Sequence, residues 1–268
     1  MLRDPVVAGR FYPSNPGRLD REIRALIGEN VPDTEAIGCV LPHAGYIYSG
    51  GTAAKVLSSI KKRSSYVILG PNHTGMGQPF GLDRERAWQT PLGKVEIDKA
   101  LAAEILNKSS LVESDDLCHN FEHSIEVQLP FLQVLNTGFK IVPIVIGAGQ
   151  IREYRQIGKD IAEAISSLGR DVLIISSSDM THYESHKQAK IKDKFAIDKI
   201  LNLDTDGLLD EVHEKDISMC GYAPTAVMLE ACKRLGAKHA RLVEYKTSGE
   251  TSGDFSQVVG YAGIIVTK

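Results

Sequence analysis

Three stretches of the chain share one pattern: a short apolar run without polar alternation, a break at proline, glycine or serine, and then a histidine. Tyr66-Val67-Ile68-Leu69 leads through Gly70-Pro71-Asn72 to His73, and Gly38-Cys39-Val40-Leu41 leads through Pro42 to His43. Val172-Leu173-Ile174-Ile175 leads through three serines and Asp179 to His182. Unalternating runs of this length are what strands buried on both faces look like, and such strands belong to parallel sheets covered by helices. In open α/β sheets, ligands gather beyond the carboxyl ends of the strands. If all three strands point the same way, His43, His73, Asp179 and His182 meet along one edge.

The rest of the pattern alternates helix with strand. Leu19, Ile23, Leu26 and Ile27 share one face of a helix over 16–27, with Asn15 as its cap ahead of Pro16. A turn is expected at Pro32-Asp33, and a helix over 52–60 makes a crossover between the first two strands, which sets His43 and His73 above neighbouring strands. Short alternating runs at 80–83 and 88–98 read as a hairpin at a sheet edge, followed by a helix over 99–108 capped by Asp98. Ile125, Leu129 and Leu132 mark a helix kinked at Pro130, with Glu122, His123 and Glu126 in its first turn. A strand at 140–147 and a helix at 152–168 precede the strand before Asp179; helices then run to about 203, over 204–214 and over 225–235. Strands at 242–246 and 258–266 close the chain around a polar loop. No repeat, low-complexity run or linker interrupts this order. The expected fold is a single α/β domain over residues 1–268, with a mostly parallel or mixed central sheet and helices on both faces.

Composition narrows the partners. The 268 residues are 43% hydrophobic and 24% charged with a net charge of −3, ordinary for a globular protein and without the cationic excess of a nucleic-acid or membrane surface. A small molecule or an anionic peptide fits better. Cys39, Cys118, Cys220 and Cys232 form no Cys-x-x-Cys pair, so they read as reduced thiols of a cytoplasmic protein. No segment reaches the apolar length of a membrane span, and the start lacks a signal-peptide core. Nothing forms a phosphate loop, a dinucleotide fingerprint or a Gly-x-Ser-x-Gly elbow.

A single histidine is more often structural than a ligand, but His43 and His73 both follow buried strands among glycines that let a ligand approach the backbone. Two neutral imidazoles suit iron, copper, zinc or nickel, and a third, anionic or soft ligand completes a site with open positions. Cys220, beside Gly221 at a helix entrance that favours thiolate, is the best candidate; its plain alternative is a buried small hydrophobe. Asp179 and His182 can orient each other as a general base, or Asp179 caps a helix that His182 begins. His123, between Glu122 and Glu126, is either an acid/base group beside the ligands or part of a helix amino terminus. Tyr46 and Tyr48 either line the pocket or pack beneath it.

At these residues the sequence resembles the Memo family, in Pro42-His43-Ala44-Gly45-Tyr46, Gly70-Pro71-Asn72-His73, Glu122-His123-Ser124-Ile125-Glu126, Ser177-Ser178-Asp179-Met180-Thr181-His182 and Cys220-Gly221. The resemblance covers nearly the whole chain. It implies the fold of the class III extradiol dioxygenases, in which two histidines and a carboxylate hold non-haem iron(II) and a further histidine acts as acid/base. Carried over, it implies His43 and His73 as ligands, Cys220 in place of the carboxylate, and His182 as the acid/base histidine. A thiolate favours copper(I) or zinc as readily as iron, so ring cleavage does not transfer with the fold. The family's eukaryotic members are linked to cell-motility signalling, phosphotyrosine-peptide binding and metal-dependent redox chemistry. The expected function is thus a metal-binding, dioxygenase-like protein carrying iron(II) or copper, with zinc as the alternative ion. The rival is a non-enzymatic module that takes an anionic peptide or metabolite into the same cleft.

Overall fold

The apolar runs become the middle of one mixed sheet. The computed structural model describes residues 2–28 and 34–268, so the turn expected at Pro32-Asp33 lies outside the described residues. Among the described residues the strands are β1 (Leu2–Arg3), β2 (Ala36–Leu41), β3 (Ser65–Pro71), β4 (Phe80–Leu82), β5 (Ala87–Thr90), β6 (Gly93–Ile97), β7 (Glu113–Ser114), β8 (Lys140–Ile146), β9 (Val172–Ser177), β10 (His182–Glu184), β11 (His239–Thr247) and β12 (Val258–Thr267). They join in the order β1-β5-β6-β8-β3-β9-β2-β12-β10, with β11 on β12, and β4 linking β7 to β8. From β6 to β2 every pairing is parallel, and β12 then closes antiparallel on β2. β3 and β9 are buried along their whole length, which is why their sequences carry no alternation.

One expectation fails here. β2 and β3 are not neighbours, because β9 lies between them and pairs with both. The crossover from β2 skips one place in the sheet, and β9 later fills it on arriving from β8. The two crossovers run in opposite directions along the sheet, so right-handedness puts their helices on opposite faces. Those helices are α2 (Gly51–Ser59), entered through a π-helical turn at Tyr46–Gly50, and α5 (Ile151–Leu168).

Most other helices keep to the sequence pattern. In α1 (Pro16–Ile27) the Asn15 side chain accepts from the Arg18 N–H, and in α3 (Lys99–Lys108) Asp98 does the same for Leu101. Pro130, expected to kink a helix, instead lies in the first turn of α4 (Leu129–Leu135), where an N–H has no helical partner to lose. The residues ahead form a single 3₁₀ turn, Glu126–Gln128, so Glu122 and His123 stand in a loop rather than in a helical turn. The remaining helices are α6 (His186–Leu201), α7 (Thr205–Glu214), α8 (Tyr222–Arg234), which begins earlier than expected, and α9 (Gly249–Ser252) inside the polar loop. α8 packs against α5 and across β3, β9 and β2. No helix among the described residues is long and apolar enough to cross a membrane.

Candidate metal centre

β2 ends at Leu41, β3 at Pro71 and β9 at Ser177, so His43, His73 and Asp179 each come shortly after the end of a parallel strand. Leu41 is paired with Ser177 and Leu69 with Ser176, which keeps these strand ends level. The rings of His43 and His73 consequently lie 5.2 Å apart between centroids, although β9 separates their strands. His123 joins them from the loop before α4, stacked on His73 at 4.8 Å and edge-on to His43 at 5.4 Å. One ring nitrogen from each of the three lies within 4.8 Å of the others, so this group can hold a metal ion. His123 therefore stands among the imidazoles themselves.

Hydrogen bonding decides which nitrogen each ring offers. Ser177 Oγ donates to the Ser124 carbonyl at 2.7 Å and accepts from Gln128 Nε2 at 2.9 Å, which leaves it to accept from His43 Nδ1 at 3.0 Å. The His43 proton is thereby on Nδ1 and its lone pair on Nε2. His73 Nδ1 lies 2.9 Å from Glu122 Oε1, and an ionised carboxylate only accepts, so His73 carries the same tautomer. Glu122 is fully buried and also accepts from the N–H groups of His73, His123 and Ser124 at 2.7 to 2.9 Å. Its loop can approach β3 because Gly70 has no side chain: a Cβ there would stand 2.4 Å from Ser124 Oγ.

Cys220 comes beside His43 from the loop before α8, outside the group of three imidazoles. Its Sγ is 3.2 Å from His43 Nε2 and 3.3 Å from the Asp179 N–H nitrogen. The loop fits only with glycine at 221, where a Cβ would lie 2.4 Å from Ser178 Cβ and 2.5 Å from the Ser177 carbonyl oxygen. The other three cysteines are buried, as small hydrophobes.

Asp179 and His182 do not orient each other, contrary to the sequence expectation. The segment after β9 turns Asp179 towards the first histidine loop, where its Oδ1 accepts from the His43 N–H at 2.7 Å. His182 lies in β10, paired with β12, and its Nδ1 donates to the Ser218 carbonyl at 2.9 Å, which leaves Nε2 open. Neither caps the next helix, since Ser185 does so. Tyr46 also departs from a lining role. It is buried, its hydroxyl donates to the Val127 carbonyl at 2.7 Å and its ring packs on Phe131, so it supports the floor. Tyr48 is 41% exposed on the wall of an adjoining cleft. Glu126 bonds no imidazole and instead binds Arg3, Tyr12 and the N–H groups of Val6 and Val7.

Burial, reinforced by His123 and His73, holds His43 well below the usual imidazole range. Burial likewise lowers His123, with the charges of His73 and Arg10 adding to it against Glu122. His73 is raised, because its bond to Glu122 and the charge there outweigh burial. Burial alone would raise Glu122, but the hydrogen bond and charge of His73 and the Ser124 N–H hold it at about 2. Burial pushes Asp179 up to about 6 against the N–H of His43. It also pushes the Cys220 thiol up, with the Asp179 charge adding to it, so the thiolate expected at a helix entrance is not favoured by the protein alone. Neutral imidazoles are the form that binds metal, and a thiol releases its proton when a cation replaces it.

Sequence reasoning missed the groups that orient the rings. Gln128 and Ser218 lie outside every motif, while Ser177 and Glu122 stand in the family stretches with no sign of which ring they orient.

Comparison with known proteins bears on the whole chain. The crystal structure of an uncharacterized protein from Escherichia coli K12 superposes with a TM-score of 0.56 at 13% identity, covering 85% of this chain and 98% of that one, and so shares the fold. MEMO1 family proteins of Methanosarcina acetivorans and Desulfurococcus amylolyticus are each 46% identical, over 99% and 98% of both chains respectively. That of Methanopyrus kandleri is 43% identical over 100% of both. The model of the Memo-like protein family matches residues 3–265, and on that span and these identities the chain belongs to the Memo family.

Proposed function

We propose that the chain binds a redox-active transition metal through His43, His73 and Cys220, in a non-haem, dioxygenase-like centre with metal-dependent redox activity. The observation that carries this reading is the pair of fixed tautomers, His43 on Ser177 and His73 on Glu122, which leave both Nε2 lone pairs free, with the Cys220 sulfur 3.2 Å from that of His43. A hydrogen-bonded Nδ1 behind a free Nε2 is the arrangement found behind metal-ligating histidines. Two imidazoles and a thiol suit copper or iron(II), with zinc as the redox-silent alternative. When bound, such an ion would supply Lewis acidity and one-electron chemistry towards dioxygen or a small substrate. Around it, the open Nε2 of His182 receives and returns a proton, Asp179 fixes the His43 loop, and His123 serves either as a further imidazole ligand or as a second proton carrier. The free cysteines fit a cytoplasmic location.

Metal content after anaerobic purification tests the reading. His43→Ala, His73→Ala and Cys220→Ser are each expected to lose at least nine-tenths of the bound ion, and His123→Ala shows whether a third imidazole is also needed. Unchanged metal content in the His43 and Cys220 variants would remove the proposal.

A further inference from the structure

Beside the imidazoles lies an open cleft of about 550 Å³ whose walls include Arg10, Phe11, Arg18, Glu22, Ile47 and Tyr48. Its charge is unbalanced: two guanidinium groups face one carboxylate, and none of the three forms an ion pair among the described residues. Its apolar side is unusual as well, since Ile47 is 73% exposed and Tyr48 41%. Phe11 belongs to both places, lining the cleft while its ring stands edge-on to His123 at 4.9 Å.

The turn that presents Arg10 and Phe11 is held firmly. The N–H groups of Arg10 and Phe11 both donate to the Val7 carbonyl, at 3.0 and 2.9 Å, and Gly9 donates to Tyr12 at 2.7 Å. Val6, Val7 and Tyr12 all donate to the buried Glu126 carboxylate. The Phe11 carbonyl in turn accepts from Tyr46 at 2.8 Å, tying this turn to the loop that carries His43. Arg10 is thus an exposed cation on a fixed base, next in the chain to the Phe11 ring that meets His123.

From this placement we infer that the centre acts on, or binds, a small carboxylate with an apolar body, its carboxylate held by Arg10, its body across Phe11, Ile47 and Tyr48, and its far end at the imidazoles. A guanidinium offers a planar pair of donors matched to a carboxylate, and such charge-assisted bonds are the ones that discriminate most strongly against a neutral analogue. Aromatic and branched apolar side chains take up the body without directional demand. The inference rests on the proposed metal centre only for the position of the reacting end.

Calorimetric titration with 3-phenylpropanoate and with its neutral amide tests it, using the metal-free and the zinc-loaded protein. The carboxylate is expected to bind about tenfold or more tightly than the amide. Arg10→Ala should bring the two within about twofold while leaving amide binding unchanged, and Arg10→Lys should retain part of the preference. Arg24→Ala, which removes a cation already paired with Asp20, is the charge control and should change nothing. Equal binding of acid and amide by the unaltered protein, or an undiminished preference in Arg10→Ala with or without zinc, overturns the inference. Absence of zinc uptake with the Arg10-dependent preference intact supports it, and counts against the metal centre alone.

Discussion

The His73 ring is oriented by a buried carboxylate, Glu122, whose backbone carbonyl belongs to a charged network, whereas the His43 ring and Cys220 are held by hydroxyls, an amide and backbone groups, the Asp179 carboxylate reaching only the His43 N–H. On the first side, Arg3 from β1 donates to the carbonyls of His119 and Glu122 at 2.8 and 2.5 Å and to the Glu126 carboxylate at 2.8 Å, with its guanidinium 4.0 Å above the Trp88 ring. Both members of the Arg3–Glu126 pair are almost wholly out of solvent. On the second side, Ser177 and Gln128 support His43, Ser178 accepts from the Gly221 N–H, and Ser218 supports His182. The difference lies in what a break would cost. Removing one partner of a buried ion pair strands a charge, while removing a neutral hydroxyl strands only neutral groups.

The largest expected effect is on the charged side. Arg3→Met leaves Glu126 buried without its cation and two carbonyls without a donor, and should lower stability by about 3 to 5 kcal/mol in urea unfolding. Ser177→Ala, which leaves the Ser124 carbonyl and the His43 Nδ1–H without this partner, should lower it by less, about 1 to 3 kcal/mol. If the serine variant proved the less stable of the two, the contrast between the sides would be reversed.

Acid should find the same side next. Glu122 has its folded-state pKa near 2, below the ordinary value of 4.5, so its contribution is complete above pH 4.5 and is lost as the pH falls towards 2. The loss integrates to at most about 3 kcal/mol. Stability measured between pH 6 and 2 should fall more steeply for the unaltered chain than for Glu122→Gln, and parallel curves would show that Glu122 carries no such linkage.

The smallest effect separates the two histidines. Glu122→Gln should weaken metal binding by about 10- to 100-fold, measured by competition with a chelator, because His73 loses a charged acceptor that raises its basicity. Ser177→Ala should weaken it by about tenfold or less, since His43 loses a neutral one. Equal losses would erase the distinction between a charged and a neutral support.

Much of the fold was legible because its signals are local. The unbroken apolar runs of β3 and β9 could only be buried on both faces, and Asn15 and Asp98 announced their helices by side-chain chemistry that acts within a few residues. The order of strands was not legible in the same way. Nothing in 52–60 states whether a crossover moves one place or two along a sheet, and so β9 came between β2 and β3 unforeseen. Pro130 shows the same limit, since a proline reads as a kink or a helix start according to where the helix begins.

The sequence by itself determined that histidines and an aspartate would leave buried strands at one edge, because residue order places them just past the strand ends and parallel strands end on the same side. Only the tertiary structure decided which groups face one another. It set the Cys220 sulfur against His43, brought His123 among the imidazoles, bonded Asp179 to the His43 N–H rather than to His182, and gave the rings of His43, His73 and His182 their partners in Ser177, Glu122 and Ser218. These contacts join residues far apart in the chain. Their selection depends on close packing at Gly70 and Gly221 and on buried polar groups finding partners across the fold, which no local pattern encodes.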